Sequence, residues 1–449
     1  MLQKFWINIR SSLWFVPTLL VLAGLAAAGA LVELDIVYAD LLATKSWKPL
    51  LNAGADGARA MLGAIATSAI TVAGVAFSIT IVSLSLASTQ YTPRILRNFM
   101  RDRANQIVLG TFVGVFSYCL LVLRTIRGGA EKDGGGFVPL LAVAFALVLA
   151  LVLIGCLIFF IHHIASSIQA SRILNTIHGE TSRALEVLHP EELGAEEKEK
   201  AAERASERTG SEWQIVAAEE SGYVQHTDAE VLLRFAEEHK VLVRLNCVPG
   251  DFVAEGLPLA WLERSREEAD LRSFRAAIVV GEFRTIEQDA SFGFRQIVDI
   301  ALKALSPGVN DTSTAVSGLE YLSAILCQLS TRQIESPYRG SQGELRVIAP
   351  RPSFGDYVAK SFDEIRRSAE GNVTILVQIL RALQRIASVT RDEGRRAVLL
   401  EQTRATIELA NRSVLAPYDR VRINQAIERL GQELPISQSE CPLLVPPGQ

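Results

Sequence analysis

The residues best equipped to hold a ligand are gathered between Gly281 and Ala315, in GEFRTIEQDASFGFRQIVDIALKALSPGVNDTSTA. Arg284, Glu287 and Asp289 precede one expected helix, while Asn310 and Asp311 sit at the turn into the next. Two chemistries suit them. In one, Pro307-Gly308 ends a helix and Asn310 or Asp311 caps the following one, whose first free N–H groups need an acceptor. In the other, two helix ends and an arginine–carboxylate group converge on a pocket for a small ion or ligand. Reactive constellations are missing from the chain. The histidines (His162, His163, His178, His189, His226, His239) are scattered without a ligand spacing, and the five cysteines form no CxxC. Gly134-Gly135-Gly136 lacks the Lys-Ser/Thr of a phosphate loop and suits a turn. No GxSxG, Walker or dinucleotide fingerprint occurs, so no enzyme, metal or cofactor is expected. His162-His163 offers either a proton-sensing pair or an interfacial one.

The elements that must position these groups begin in a membrane. Between Arg59 and Arg94 the 34 residues from Ala60 to Pro93 carry no charge. As a helix they would reach about 50 Å, against a hydrocarbon core of roughly 30 Å. Thr67, Thr71, Gly74, Ser78 and Ser85, with Gly63, place small or hydroxylated residues on one face. Such a face either packs closely on another helix or lines a wet path. The hydropathy pattern predicts three more spans, giving helices at about 14–32, 61–87, 106–123 and 138–164 within a transmembrane domain, 1–164. Gly110 and Gly114 form a GxxxG pair on the third. Glu33, Asp35 and Asp40 follow the first span as an acidic group at its outer end. The arginine loop Arg94, Arg97, Arg101 and Arg103, together with free thiols suited to a reducing compartment, favours cytoplasmic termini.

After residue 165 the composition turns soluble. A helical extension and charged linker is expected over 165–210, a small β-rich subdomain with a barrel- or sandwich-like part over 211–282, and a helical subdomain over 283–434. Heptad-like spacing at Ile375, Ile379, Leu383 and Ile386 suggests a bundle. Thr331 to Phe354, rich in Pro, Gly, Ser and Arg, reads as an exposed loop, and 435–449 as a disordered tail. The fold class is therefore a four-helix membrane domain followed by a cytoplasmic α+β domain.

The segments YTPRILRNFMRDRANQIVLGTFVGVFSY, SGYVQHTD, GDFVAEGLPL and RTIEQDASFGFRQIVDIALKALSPGVNDTSTA resemble a family of bacterial predicted membrane proteins, domain of unknown function 2254. The resemblance covers nearly the whole chain. The family usually has proline after Asn-Asp, where this chain has Thr312. It implies a multi-pass inner-membrane protein with a large cytoplasmic domain, and it assigns no activity.

A formal net charge of -4 without an isolated basic block argues against nucleic acid as partner. The expected partners are the lipid bilayer, further copies of the chain in a homo-oligomer, and small ions. Two functions fit: an oligomeric channel or transporter for small ions gated by its cytoplasmic domain, or a membrane-anchored sensor or scaffold whose cytoplasmic domain binds a ligand or partner.

Overall fold

The structure is a computed structural model that describes residues 14–38, 54–90, 102–128, 137–167, 169–188, 213–263, 271–334, 337–341, 344–434 and 443–444. The chain divides into two compact units, Met1–Arg172 and Ile173–Gln449. In the first, α1 (Phe15–Val37), α2 (Ala55–Gln90), α3 (Arg103–Thr125) and α4 (Leu140–Ser167) are each long and apolar enough to cross a membrane.

Small residues set how closely these helices approach. A Cβ on Gly114 would stand 2.9 Å from the Leu20 carbonyl oxygen, one on Gly110 2.8 Å from Pro17 Cα, and one on Gly24 2.7 Å from the Gly114 oxygen. The GxxxG face of α3 therefore lies directly on the backbone of α1, where van der Waals contact between main chains replaces side-chain filling. On α2 the packed ridge is Ala58, Leu62, Ala66, Ala69, Ala73 and Ala76, buried in one cluster with Val108, Phe112 and Val115 of α3. The face expected to need a neighbour points elsewhere: Thr67, Thr71, Gly74, Ser78 and Ser85 are all exposed. Alanine packs as closely as serine or threonine and leaves no polar atom to satisfy, so the chain uses that ridge internally.

The acidic group after the first span is also divided. α1 continues past the expected end, burying Asp35, whose carboxylate accepts from the Leu141 and Ala142 amides at 2.9 and 3.0 Å. It thereby caps the first turn of α4, and Tyr118 Oη donates to the Ala142 carbonyl at 2.7 Å. Glu33 is exposed; Asp40 lies outside the described residues, as do Arg94, Arg97, Arg101 and the charged linker.

The second unit begins with α5 (Ala170–Leu188) at its edge, followed by β1 (Trp213–Ala217), β2 (Gly222–Thr227), α6 (Ala229–Glu238), β3 (Val243–Leu245), β4 (Phe252–Val253) and β5 (Pro258–Glu263). Then come α7 (Leu271–Ala276), β6 (Ile278–Gly281), α8 (Ala290–Leu305), α9 (Thr312–Thr331), β7 (Tyr338–Ser341), β8 (Glu344–Ile348), α10 (Phe354–Ser368), α11 (Val373–Val389), α12 (Glu393–Ser413) and α13 (Pro417–Glu433). The expected barrel or sandwich is instead two open sheets, of order β1-β5-β3-β8-β7 and β4-β2-β6, and no described strand closes either one. The segment expected to be an exposed loop supplies two of those strands. β8 pairs antiparallel with β7 and parallel with β3, Val243 opposite Val347, so the alternating Leu345 and Val347 are buried by a partner a hundred residues earlier in the chain. Helices α8 to α13 form the bundle, with Phe294, Ile297, Leu322, Phe362 and Leu383 fully buried. Of the expected tail only residues 443–444 are described.

Replacing Gly114 with leucine forces α1 and α3 apart, whereas Gly29 of α1 has open space around its Cα. Gly114→Leu is expected to cost about 1–3 kcal/mol or to prevent folding, and Gly29→Leu to stay within about 0.5 kcal/mol. Melting of the full-length protein in a neutral detergent measures both, and equal effects would contradict the α1–α3 seam.

Candidate functional site

The polar residues singled out in the sequence separate into two places along α8. Asp289 is its N-cap, with Oδ1 accepting from the Phe292 amide at 3.1 Å. Asn310 and Asp311 follow its other end, about 24 Å away along a helix of 16 residues. There Asn310 turns the chain with φ +49, and Asp311 caps α9 by accepting from the Thr314 amide at 3.0 Å. The Thr314 hydroxyl, and then that amide, hold the Asp311 carboxyl below its ordinary value. Glu287 is exposed. The two helix ends thus do not converge, and the site is built around Asp289 alone.

Its neighbours are brought in by main-chain anchors. The loop after β6 is tied to β2 by the Gln225 side chain, which donates to the Phe283 carbonyl at 2.7 Å, and by the Thr227 amide, which donates to Gln288 Oε1 at 2.8 Å. This places Arg284 so that Nε and Nη2 both donate to Asp289 Oδ2, at 2.9 and 2.6 Å. The Asp289 side chain is 4% exposed and that of Arg284 26%, so the pair is largely withdrawn from water. The guanidinium also lies 5.1 Å from the centre of the Phe292 ring. On the opposite side the Pro249-Gly250 turn is held to β2 by the Gly250 amide, 2.8 Å from the Val224 carbonyl. Gly250 has φ +100, and a Cβ there would collide with the Asp289 carboxylate and stand 2.9 Å from Arg284 Nη2.

Helix α10 completes the cluster. Lys360 interacts electrostatically with Asp289, Arg284, Asp356 and Asp251, and burial pulls its ammonium below the ordinary lysine value. Burial pushes the Asp289 carboxyl up, while Arg284, Lys360 and the Phe292 amide pull it back down. Tyr357, one turn before Lys360 on α10, is pushed up to about 12, again mainly by burial. The arrangement holds charge at a cost, which marks it as a candidate functional site. Among the described residues no three His, Cys, Asp or Glu side chains stand close enough to hold a metal.

The sequence reading found Arg284 and Asp289 but missed Gly250 as a site residue, together with Lys360 and Tyr357. Locally, Pro249-Gly250-Asp251 has only the composition of a turn. Lys360 follows Asp356 by four residues on an amphipathic helix, which is the pattern of a solvated ion pair, and nothing local marks it as half-buried. In the membrane unit, His163 Nε2 lies 2.5 Å from Asp102 Oδ2, the N-cap of α3, and stacks on Phe159 at 5.5 Å.

Asp289→Ala removes the cap of α8 and strands Arg284, and is expected to cost about 3 kcal/mol. Lys360 acts the other way. Its proton is held more tightly in the unfolded chain than in the folded one, so stability rises with pH as Lys360 deprotonates. Lys360→Met is therefore expected to stabilise the protein at neutral pH, on the order of 1 kcal/mol, with an advantage that shrinks as pH approaches the ordinary lysine value. Melting curves across pH check this; an advantage that grows with pH would contradict it.

The family described as predicted membrane protein (DUF2254) matches residues 10–385. Uncharacterized proteins of Mycobacterium tuberculosis, in strains CDC 1551 and H37Rv, and of Mycobacterium bovis are each 33% identical over 446 residues, covering 95% of this chain and 83% of the relative. No solved structure matches the chain. A match over that span, with the four apolar helices inside it, makes this chain a member of the DUF2254 family of predicted membrane proteins.

Proposed function

We propose that the protein is a homo-oligomer of the bacterial cytoplasmic membrane, with both termini in the cytoplasm, in which small ions pass between subunits along α2. The observation that carries this reading is the outward face of α2, where Thr67, Thr71, Gly74, Ser78 and Ser85 are exposed opposite the alanine ridge that packs on α3. Gly63 and Gly74 have open space where a Cβ would stand, so a second helix can come close there. Thr71 Oγ1 donates to the Thr67 carbonyl at 2.7 Å, and Thr80 Oγ1 to that of Ala76 at 2.8 Å. With their protons engaged, these hydroxyls turn lone pairs outward, which suits cations more than anions. A path inside one chain is disfavoured, because Leu62, Phe112, Tyr118, Cys119 and Val122 fill the centre of the unit.

A second reading, a membrane-anchored sensor, is favoured by the partly buried Arg284, Asp289 and Lys360 cluster, whose charges a bound ligand would rebalance. Planar-bilayer recording separates the two. With the full-length protein in a potassium chloride gradient, the ion path predicts discrete currents with a cation-side reversal potential. Ser78→Leu should reduce them at least tenfold at unchanged oligomer mass. Silence of the wild type across voltage and pH would overturn the ion path and leave the sensor.

A further inference from the structure

A second polar cleft lies on elements that contribute nothing to the Asp289 site. Val377 and Arg381 of α11, with Arg422, Gln425, Ala426 and Arg429 of α13, enclose about 80 Å³. The α13 residues recur at steps of three, four and seven, so they share one helix face. Val377 and Ala426 are buried and form an apolar floor, while the three arginines are exposed around it. Among the described residues no aspartate or glutamate lines the cleft.

Other arginines of the same helices are tied down. Arg385 of α11 reaches Ser323 Oγ at 3.1 Å and Glu320 at 3.9 Å, and Arg420 of α13 donates to the Val414 and Asn411 carbonyls at 2.7 and 2.8 Å. Among the described residues, Arg381, Arg422 and Arg429 have no such ion pair or hydrogen bond. Three guanidiniums around one small space repel one another, and an anion between them removes that repulsion while accepting their forked donors. Size narrows the choice. A space of that size suits a small group such as a tetrahedral oxyanion. Sites that enclose a whole drug-sized molecule are several times larger, roughly 300 Å³ and above.

We propose that the Arg381, Arg422 and Arg429 cleft binds a phosphate group, carried either by a free phosphate anion or by the headgroup of an anionic phospholipid. The ligand enters by its phosphate, with the rest of the molecule outside, and Gln425 adds an amide donor at the rim. The site does not rest on the ion path and would stand if no current were found.

The test is calorimetric titration of the full-length protein in a neutral detergent, at constant ionic strength, with inorganic phosphate in one arm and a short-chain phosphatidylglycerol in the other. Saturable binding of phosphate assigns the free anion. Binding of phosphatidylglycerol with phosphate inert assigns the headgroup. In either case the double variant Arg422→Gln, Arg429→Gln should weaken binding at least about tenfold, and Arg422→Lys, Arg429→Lys should fall between, because lysine keeps the charge and loses the fork. Both variants change exposed side chains and should melt with the wild type. Absence of saturation by both probes, or glutamine variants that bind as the wild type does, would overturn the proposal.

Discussion

The first amides of a helix have no partner within it, and that need organises both units of this protein. Asp102 caps α3, Asp228 caps α6, Asp289 caps α8, Asp311 caps α9 and Asp392 caps α12, while Asn372 caps α11 and a Ser353–Asp356 capping box opens α10. For α4 the acceptor comes from another helix altogether, Asp35 of α1. Away from water an uncapped helix start costs more than on a surface, and this one is joined to α1 by charge-assisted bonds across about a hundred residues of chain. Capping is thus also a tertiary contact.

The same need engages several of the acidic side chains that residue type would nominate for chemistry. Asp35, Asp102, Asp289 and Asp311 would each be a candidate acid or ligand from residue type alone, and each is committed to backbone amides. Two groups of cations take no part in this capping. Lys360 is drawn into a half-buried position beside a carboxylate already shared between Arg284 and a helix start, and three arginines line a cleft on α11 and α13. Carboxylates at helix ends thus link elements in both units, while the partly buried Lys360 and the arginines of α11 and α13 stand outside that role.

What the sequence disclosed follows from how local each signal is. Asp311 after Pro307-Gly308, the GxxxG of α3 and the apolar spans are written within one or two turns of chain, and they were legible. Which surface each one meets was not. Gly110 and Gly114 lie on Pro17, Leu20 and Gly24, some ninety residues earlier, and the amides that engage Asp35 are more than a hundred residues later. β8 was hidden by its flanks, because proline, glycine and serine around Leu345 and Val347 signal a loop, while the parallel partner that buries them is β3. Lys360 is the extreme case, since its pattern on α10 is that of a surface ion pair.

Helix α2 shows how two kinds of small residue divide the work. Alanine offers a close approach with nothing polar to satisfy, and it supplies the ridge that packs on α3. Threonine and serine offer the same approach with a hydroxyl, but Thr71 and Thr80 already satisfy theirs on their own carbonyls one turn back. That back-bonding makes the outward face tolerable in hydrocarbon without a partner. A contact made through it would gain dispersion and little hydrogen-bond rescue, of the order of 1 kcal/mol per residue at most. Assembly through this face would therefore be weaker than the glycine seam between α1 and α3, and open to change without unfolding the subunit.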